Sequence, residues 1–241
     1  MTPPPKAPRP PRRLDSLREI GAGLDLLRGV ADSTRRMVLP FGGATLADLG
    51  QGRRVAVLPG FGADDLSTSV LRRHLAHRGF RAEGWHLGRN SGDVVGAVIR
   101  FTERLSFRVA AAGRPYALVG WSLGGYIARE VARNRPDLVE RVVTLGTPVR
   151  GGPKYTVFAP VYRARGLDLD RIESRIAARE TVPLTVPVTA LYSRRDGIVG
   201  WRACLSPDEP MVRHEEIATS HCGMGFAPEV LARVAAILAE A

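Results

Sequence analysis

Cysteine is almost missing from this 241-residue chain, with Cys204 and Cys222 the only two. With no Cys-x-x-Cys pair and no further thiols, a zinc site has no ligand set, and neither a metal nor another cofactor is expected. One disulfide remains open, Cys204 to Cys222, which would close a short loop and contribute about 3 kcal/mol where geometry permits. Such a bridge would place the protein outside the cytoplasm. The alternative is two buried thiols and a cytoplasmic or peripherally membrane-associated chain. Long apolar runs are also absent: none approaches the roughly 18 residues that cross a bilayer, and the N-terminal residues lack the apolar centre of a secretory signal. Aromatic residues make up only 6%. They do not alternate with basic residues as a base-stacking platform would require, so no nucleic-acid partner is expected. Acidic residues are in deficit, 24 Asp and Glu against 35 Lys and Arg, for a formal charge of +11 supplied almost wholly by arginine. That excess favours anionic partners, among them a membrane surface touched peripherally.

What is present divides into three stretches. Residues 1–13 hold six prolines in the first eleven positions together with Arg9, Arg12 and Arg13, a leader expected to be disordered or partly polyproline II. Residues 14–52 carry apolar positions at near-helical spacing over 14–37, interrupted by Gly21, Gly23 and Gly29, which predicts a broken helix and a lead-in. Residues 53–241 read as one α/β domain, a size that a single core can serve. Val55-Ala56-Val57-Leu58 is an uninterrupted apolar run ending at Pro59-Gly60-Phe61-Gly62, a buried parallel strand and a glycine-rich turn. A helix over 68–79, a strand over 81–85 and a helix over 93–112 follow. Strands over 116–119 and 142–145 flank a helix over 126–135. After an interruption at 150–187, with a helix over 168–180, strands at 188–192 and 212–217 and a helix over 228–238 complete the pattern. The fold class is therefore α/β, a mostly parallel sheet with helices on both faces.

Gly120-Trp121-Ser122-Leu123-Gly124 is a G-x-S-x-G sequence placed between a strand and a helix, the context in which it forms a nucleophile elbow. A serine hydroxyl is a weak nucleophile at neutral pH and needs a base, itself held by a third group. His221 follows the last strand through Ala218-Thr219-Ser220 and is the candidate base. His74, His77, His86 and His214 sit in helices, strands or an early strand exit and are read as structural. Asp196 follows the strand at 188–192 and is the candidate orienting carboxylate, giving the chain order Ser, Asp, His. An Asx turn is its alternative role, and Asp208 its competitor in an exposed-looking loop. An oxyanion needs two backbone donors, and the N–H groups of Leu123 and Phe61 are the candidates. Asp64 and Asp65 would repel an oxyanion and are assigned to capping the helix near Ser67. In the interruption, Tyr155, Phe158, Val161 and Tyr162 are candidates for an acyl pocket or lid.

The ordered set VLPGF, GWSLGG, GTP, YSRRDGIV and SHCGMG resembles the α/β-hydrolase superfamily, in particular its lipase- and esterase-like serine hydrolases, over about residues 53–241. The resemblance implies the α/β-hydrolase fold, trimmed at the N-terminal sheet edge because no strand is found before Val55, with the lid-like insertion at about 150–187. It also implies an acyl-enzyme on Ser122, with His221 working in both half-reactions and Asp196 supporting it. The expected reaction is hydrolysis of a carboxylic ester with an apolar acyl or lipid group. A thioesterase is the alternative, and a noncatalytic membrane- or protein-binding scaffold a further one.

Overall fold

Val55, Ala56, Val57 and Leu58 are all fully buried, the condition that an uninterrupted apolar run imposes on a strand covered on both faces. In the computed structural model, which describes residues 7–11, 19 and 48–240, they belong to β1 (Arg54–Leu58). The remaining strands are β2 (Arg81–Gly84), β3 (Tyr116–Trp121), β4 (Val139–Leu145), β5 (Val188–Tyr192) and β6 (Val212–Glu216). Their spatial order is β2-β1-β3-β4-β5-β6, and every pairing is parallel. Among the described residues no strand precedes β1, so the sheet ends at β2 as the trimmed edge predicts. The described helices are α1 (Ser69–His77), α2 (Val94–Ala112), α3 (Leu123–Asn134), α4 (Ala159–Ala164), α5 (Leu169–Glu180) and α6 (Pro228–Ala239). None is long and apolar enough to cross a membrane.

Alternate side chains of a strand face opposite sides of a sheet, and here both sides are covered. Ala56 and Leu58 pack with Phe101 and Leu105 of α2 and Ile127 and Val131 of α3. Val55 and Val57 pack with Leu71 and Leu75 of α1 and Val230 and Val234 of α6. Local signals set the helix ends. The Asp93 carboxylate accepts from Gly96 N–H to start α2, and Gly113, at φ 68°, ends it in the left-handed conformation. Asp168 caps α5 by accepting from Asp170 and Arg171 N–H, and Pro228 opens α6. Asp64 caps the turn before α1 through Leu66 N–H. Asp65 does not cap; its carboxylate accepts from Trp85 and His86 N–H and fastens the exit of β2.

Because the sheet is all parallel, the carboxyl ends of its strands lie along one edge. The order turns around at β1, whose successor β2 lies on one side and β3 on the other, the crevice position at which such sheets bind ligands. Two strand boundaries shift from the sequence expectation by two residues or more. β3 runs on to Trp121 because Gly120 still pairs with Leu58 and Thr144, and β4 starts at Val139 because Val139 and Arg141 pair with Tyr116 and Ala117 across a register irregularity. The expected broken helix over 14–37 lies outside the described residues except at Glu19, as does the leader except at 7–11, where no helix or strand forms. There the Arg9 carbonyl oxygen lies only 2.0 Å from where a Cβ on Gly200 would sit, so this stretch rests on the loop after β5.

The interruption between β4 and β5 contributes a short turn, Gly152–Tyr155, then α4 and α5. Its far end is locked to α3 by a buried ionic cluster. Glu180 accepts from Arg129 at 2.7 Å and from Arg133 at 3.0 Å, and both arginine side chains have no exposure. Arg133 also pairs with Glu130 and donates to the Val182 carbonyl, and Arg179 reaches Glu130 at 2.6 Å. Removing one member of such a cluster strands a desolvated charge. Glu180→Ala is expected to destabilise the protein by about 3 kcal/mol, read as a lower midpoint in urea denaturation. A midpoint equal to wild type would show that the cluster does not anchor the insertion.

Candidate active site

Ser122 sits between β3 and α3 with φ 53° and ψ −121°, one of only three non-glycine residues at positive φ among those described. That conformation costs about 1–3 kcal/mol and is held from three sides. Ser122 N–H donates to the Leu145 carbonyl at 2.7 Å, and the Ser122 carbonyl accepts from Gly125 N–H at 3.0 Å and from Thr147 Oγ1 at 2.9 Å. The flanking glycines are required by close backbone approach. A Cβ on Gly120 would lie 2.3 Å from Gly125 Cα, and one on Gly124 would lie 2.4 Å from the Leu58 carbonyl oxygen. For the same reason α3 starts at Leu123, three residues earlier than expected, carrying two glycines in its first turn.

The β5 and β6 exits bring Asp196 and His221 together. His221 Nδ1 and Asp196 Oδ2 are 2.7 Å apart, with the two residues 5% and 3% exposed. The two readings of Asp196 both hold, on different oxygens: Oδ1 accepts from Ile198 and Val199 N–H at 2.8 and 2.7 Å, and Oδ2 faces the ring. Room for the pair comes from Gly146 at the end of β4. Its φ is 55°, and a Cβ there would lie 2.9 Å from His221 Nδ1 and 3.0 Å from Asp196 Oδ2. Burial alone would lower the His221 pKa, but the Asp196 carboxylate and, less strongly, Glu19 hold it above its ordinary value. Trp121 Nε1–H donates to the His221 carbonyl at 3.2 Å. Ser122 and His221 line one cavity. Among the described hydrogen bonds none joins their side chains, and contacts of this kind tighten as the reacting complex forms.

The turn after β1 presents Phe61. Asn90, 1% exposed, organises it: Asn90 Nδ2 donates to the Pro59 carbonyl at 2.9 Å. The Asn90 carbonyl accepts from Gly62 N–H at 2.7 Å, and Asn90 N–H donates to the Ala63 carbonyl at 2.8 Å. Phe61 N–H is left without an acceptor among the described hydrogen bonds, and Leu123 N–H, at the first position of α3, has none inside its helix. The sequence reading missed Asn90. Its Asn-Ser-Gly context signals only a turn, and its partners lie about thirty residues away. Glu19 was missed as well, and its carboxylate accepts from Gly197, His221 and Cys222 N–H.

A cavity of about 980 Å³ opens over this end of the sheet, lined at its floor by Phe61, Trp121, Ser122, Leu123 and His221. Its walls are mainly apolar, from Val98 and Ile99 of α2 and from Phe158, Tyr162, Leu167, Ile172, Ile176 and Val182 of the insertion. Of the four insertion residues singled out in the sequence, Phe158 and Tyr162 line it and Tyr155 and Val161 do not. Tyr155 is turned away to donate its hydroxyl to Glu173 at 2.8 Å, and Val161 faces solvent. The Phe61 ring touches the insertion directly, 6.0 Å from Phe158 and 5.2 Å from Tyr162 between ring centres. His74, His77, His86 and His214 do not line the cavity. His214 Nε2 instead accepts from Ser206 N–H, and Asp208 is exposed.

The Cys204–Cys222 bridge is not formed; both thiols are free. Cys204 is packed against Val199 and Ala203, whereas Cys222 is on the cavity wall beside His221. Burial raises the Cys204 pKa, and burial together with Glu19 pushes Cys222 up to about 12.

No family model matches the chain, and no curated protein does. Solved structures do. The Bacillus licheniformis lipase BlEst2 in mature form is similar with a TM-score of 0.62 at 14% identity, over 78% of this chain and 92% of the lipase. The Paleococcus ferrophilus monoacylglycerol lipase gives 0.58 at 18% identity, over 78% of this chain and 96% of that one. A thioesterase domain from the curacin biosynthetic pathway gives 0.52 at 14% identity, over 79% and 92%. The chain has the α/β-hydrolase fold.

The raised His221 value sets a sign. The stability that the charged ring contributes is complete below its unfolded pKa of about 6.5 and is lost as pH rises through the folded value. Asp196→Asn removes the stronger of the two carboxylate partners, so the NMR titration midpoint of the His221 ring should fall. A midpoint that stays put would mean that Asp196 does not set the charge on the ring.

Proposed function

We propose that the chain is a serine hydrolase cleaving carboxylic esters with an apolar acyl group, with Ser122 as nucleophile, His221 as base and then acid, and Asp196 as its orienting carboxylate. The observation that carries this reading is that His221, paired in the interior with Asp196, lines the same apolar cavity as the strained Ser122 turn. Ser122 Oγ attacks the acyl carbon as His221 Nε2 takes its proton, and the carbonyl oxygen becomes an oxyanion. The N–H groups of Phe61 and Leu123 donate to that oxygen, a preorganised arrangement worth several kcal/mol in the transition state. His221 then passes the proton to the leaving alkoxide, and the acyl group stays on Ser122. Water repeats the sequence with His221 as base, releasing the acid and restoring the serine.

The insertion at 150–187 serves as the acyl-binding wall of a single hydrolase domain spanning 53–241. Phe158 and Tyr162 pack against the Phe61 ring, so the wall that holds the acyl chain also braces the oxyanion turn. The mouth is rimmed by exposed Val95, Ile99, Leu167 and Val182, with Arg175 among its lining residues. An apolar rim with an arginine beside it suits a substrate drawn from an anionic lipid surface. The likeness to a thioesterase domain supports a second reading, a thioester substrate, because the same nucleophile and donors serve either bond.

A fluorophosphonate probe with a panel of short, medium and long acyl esters and thioesters tests this reading. Ser122→Ala should abolish labelling and lower turnover by at least about a thousandfold with the fold retained. Turnover that survives would remove Ser122 as nucleophile. Phe158→Ala gives up apolar contact of about 1.5 kcal/mol, so kcat/KM for medium-chain esters should fall roughly tenfold while acetate esters are nearly unaffected. An equal effect on both would place Phe158 outside the acyl site.

A further inference from the structure

Glu19 lies far from the hydrolase core in sequence, yet the residue is 7% exposed and its carboxylate sits behind the His221–Asp196 pair. Oε1 accepts from Gly197 N–H at 2.9 Å and from His221 N–H at 2.6 Å, and Oε2 accepts from Cys222 N–H at 3.0 Å. Gly197 directly follows Asp196. One side chain therefore spans the two loops that carry the acid and the base, satisfying three N–H groups that these loops would otherwise bury without partners. The stretch at residues 7–11 meets the Asp196 loop further along, with the Arg9 carbonyl against Gly200.

We propose that Glu19 is a positioning residue of the hydrolytic site: it clamps the Asp196 and His221 loops in register and sets a second negative charge behind the imidazole. This rests on the serine-hydrolase reading above. A carboxylate buried this deeply would ordinarily resist ionisation, but the three N–H donors and His221 outweigh that cost and keep its pKa below the usual value. Its charge in turn favours imidazolium, the form that develops when His221 takes the serine proton. The ionisable groups around the ring are Asp196 at Nδ1, Glu19 behind the backbone of the ring's own residue, and the Cys222 thiol, which burial and then Glu19 keep protonated. Asp196 touches the ring and orients it, whereas Glu19 holds the backbone that carries it. Removing Glu19 should thus loosen the geometry without emptying the acyl cavity.

The test compares Glu19→Gln, which keeps an acceptor oxygen but loses the charge, with Glu19→Ala, which loses both. On a para-nitrophenyl ester, Glu19→Ala should lower kcat by at least about tenfold with KM within about threefold. In the pH profile of either variant the acid limb should move to lower pH, because a carboxylate that raised the ring's pKa is gone. The ring is also titrated by NMR in a Ser122→Ala background with and without Glu19→Gln, where the midpoint should drop with the charge. If Glu19→Ala does not fold, the near-isosteric Glu19→Gln decides. A folded Glu19 variant with kcat within twofold of wild type and an unmoved His221 midpoint overturns the proposal. If Ser122→Ala keeps full activity, the hydrolase reading fails on its own, and the NMR midpoint still reports whether Glu19 acts on the His221 loop.

Discussion

Three stretches of backbone cross within contact distance at the turn around Ser122, and the candidate site depends on that crossing. The end of β1 lies against Gly124, Gly120 lies against Gly125, and Ser122 is bonded on both sides to the exit of β4. No side chain fits between these backbones, so the turn accepts glycine at its flanks and holds the serine at a positive φ that it would not choose alone. A parallel sheet makes the crossing possible, because only then do β1, β3 and β4 all end on the same side. The proposed oxyanion donors come from the same geometry: Phe61 leaves β1 and Leu123 begins α3, and both N–H groups lie outside the regular ladders.

Asp196 and His221, the proposed acid and base, arrive on two further strand ends and need separate fastening. Asp196 divides its two oxygens between its own loop and the His221 ring, so the loop turn and the ring contact reinforce each other rather than compete. Gly146 supplies the empty volume in which the pair meets. Glu19 binds the backs of both loops from a part of the chain that precedes the sheet. The low exposure of all these groups makes their mutual interactions stronger than in water, and it makes each of them costly to leave unpaired.

The insertion is held at two ends by different physics. Near the site, its aromatic residues pack on the Phe61 ring. At the far end, Glu180 joins Arg129 and Arg133 of α3 in a desolvated ionic cluster. The ionic end specifies one docking position, because a displaced charge would have no partner. The aromatic end is less directional and borders the cavity.

Periodicity and turn chemistry were enough to read six strands of a mostly parallel sheet, the helices other than α4, and Ser122, Asp196 and His221 as candidates. Those signals are local: an apolar run, a helical stripe, a glycine-bounded serine. Boundaries moved where pairing overrode them, as at Gly120 and Val139, because a hydrogen-bonded neighbour strand extends a ladder that composition would stop. The open state of Cys204 and Cys222, the turning away of Tyr155, and the roles of Asn90 and Glu19 were decided only in three dimensions. Asn90 meets Pro59 across 31 positions and Glu19 meets His221 across 202. A single chain specifies which residues exist at such distances, but only burial against one another determines which polar groups must be satisfied, and by whom.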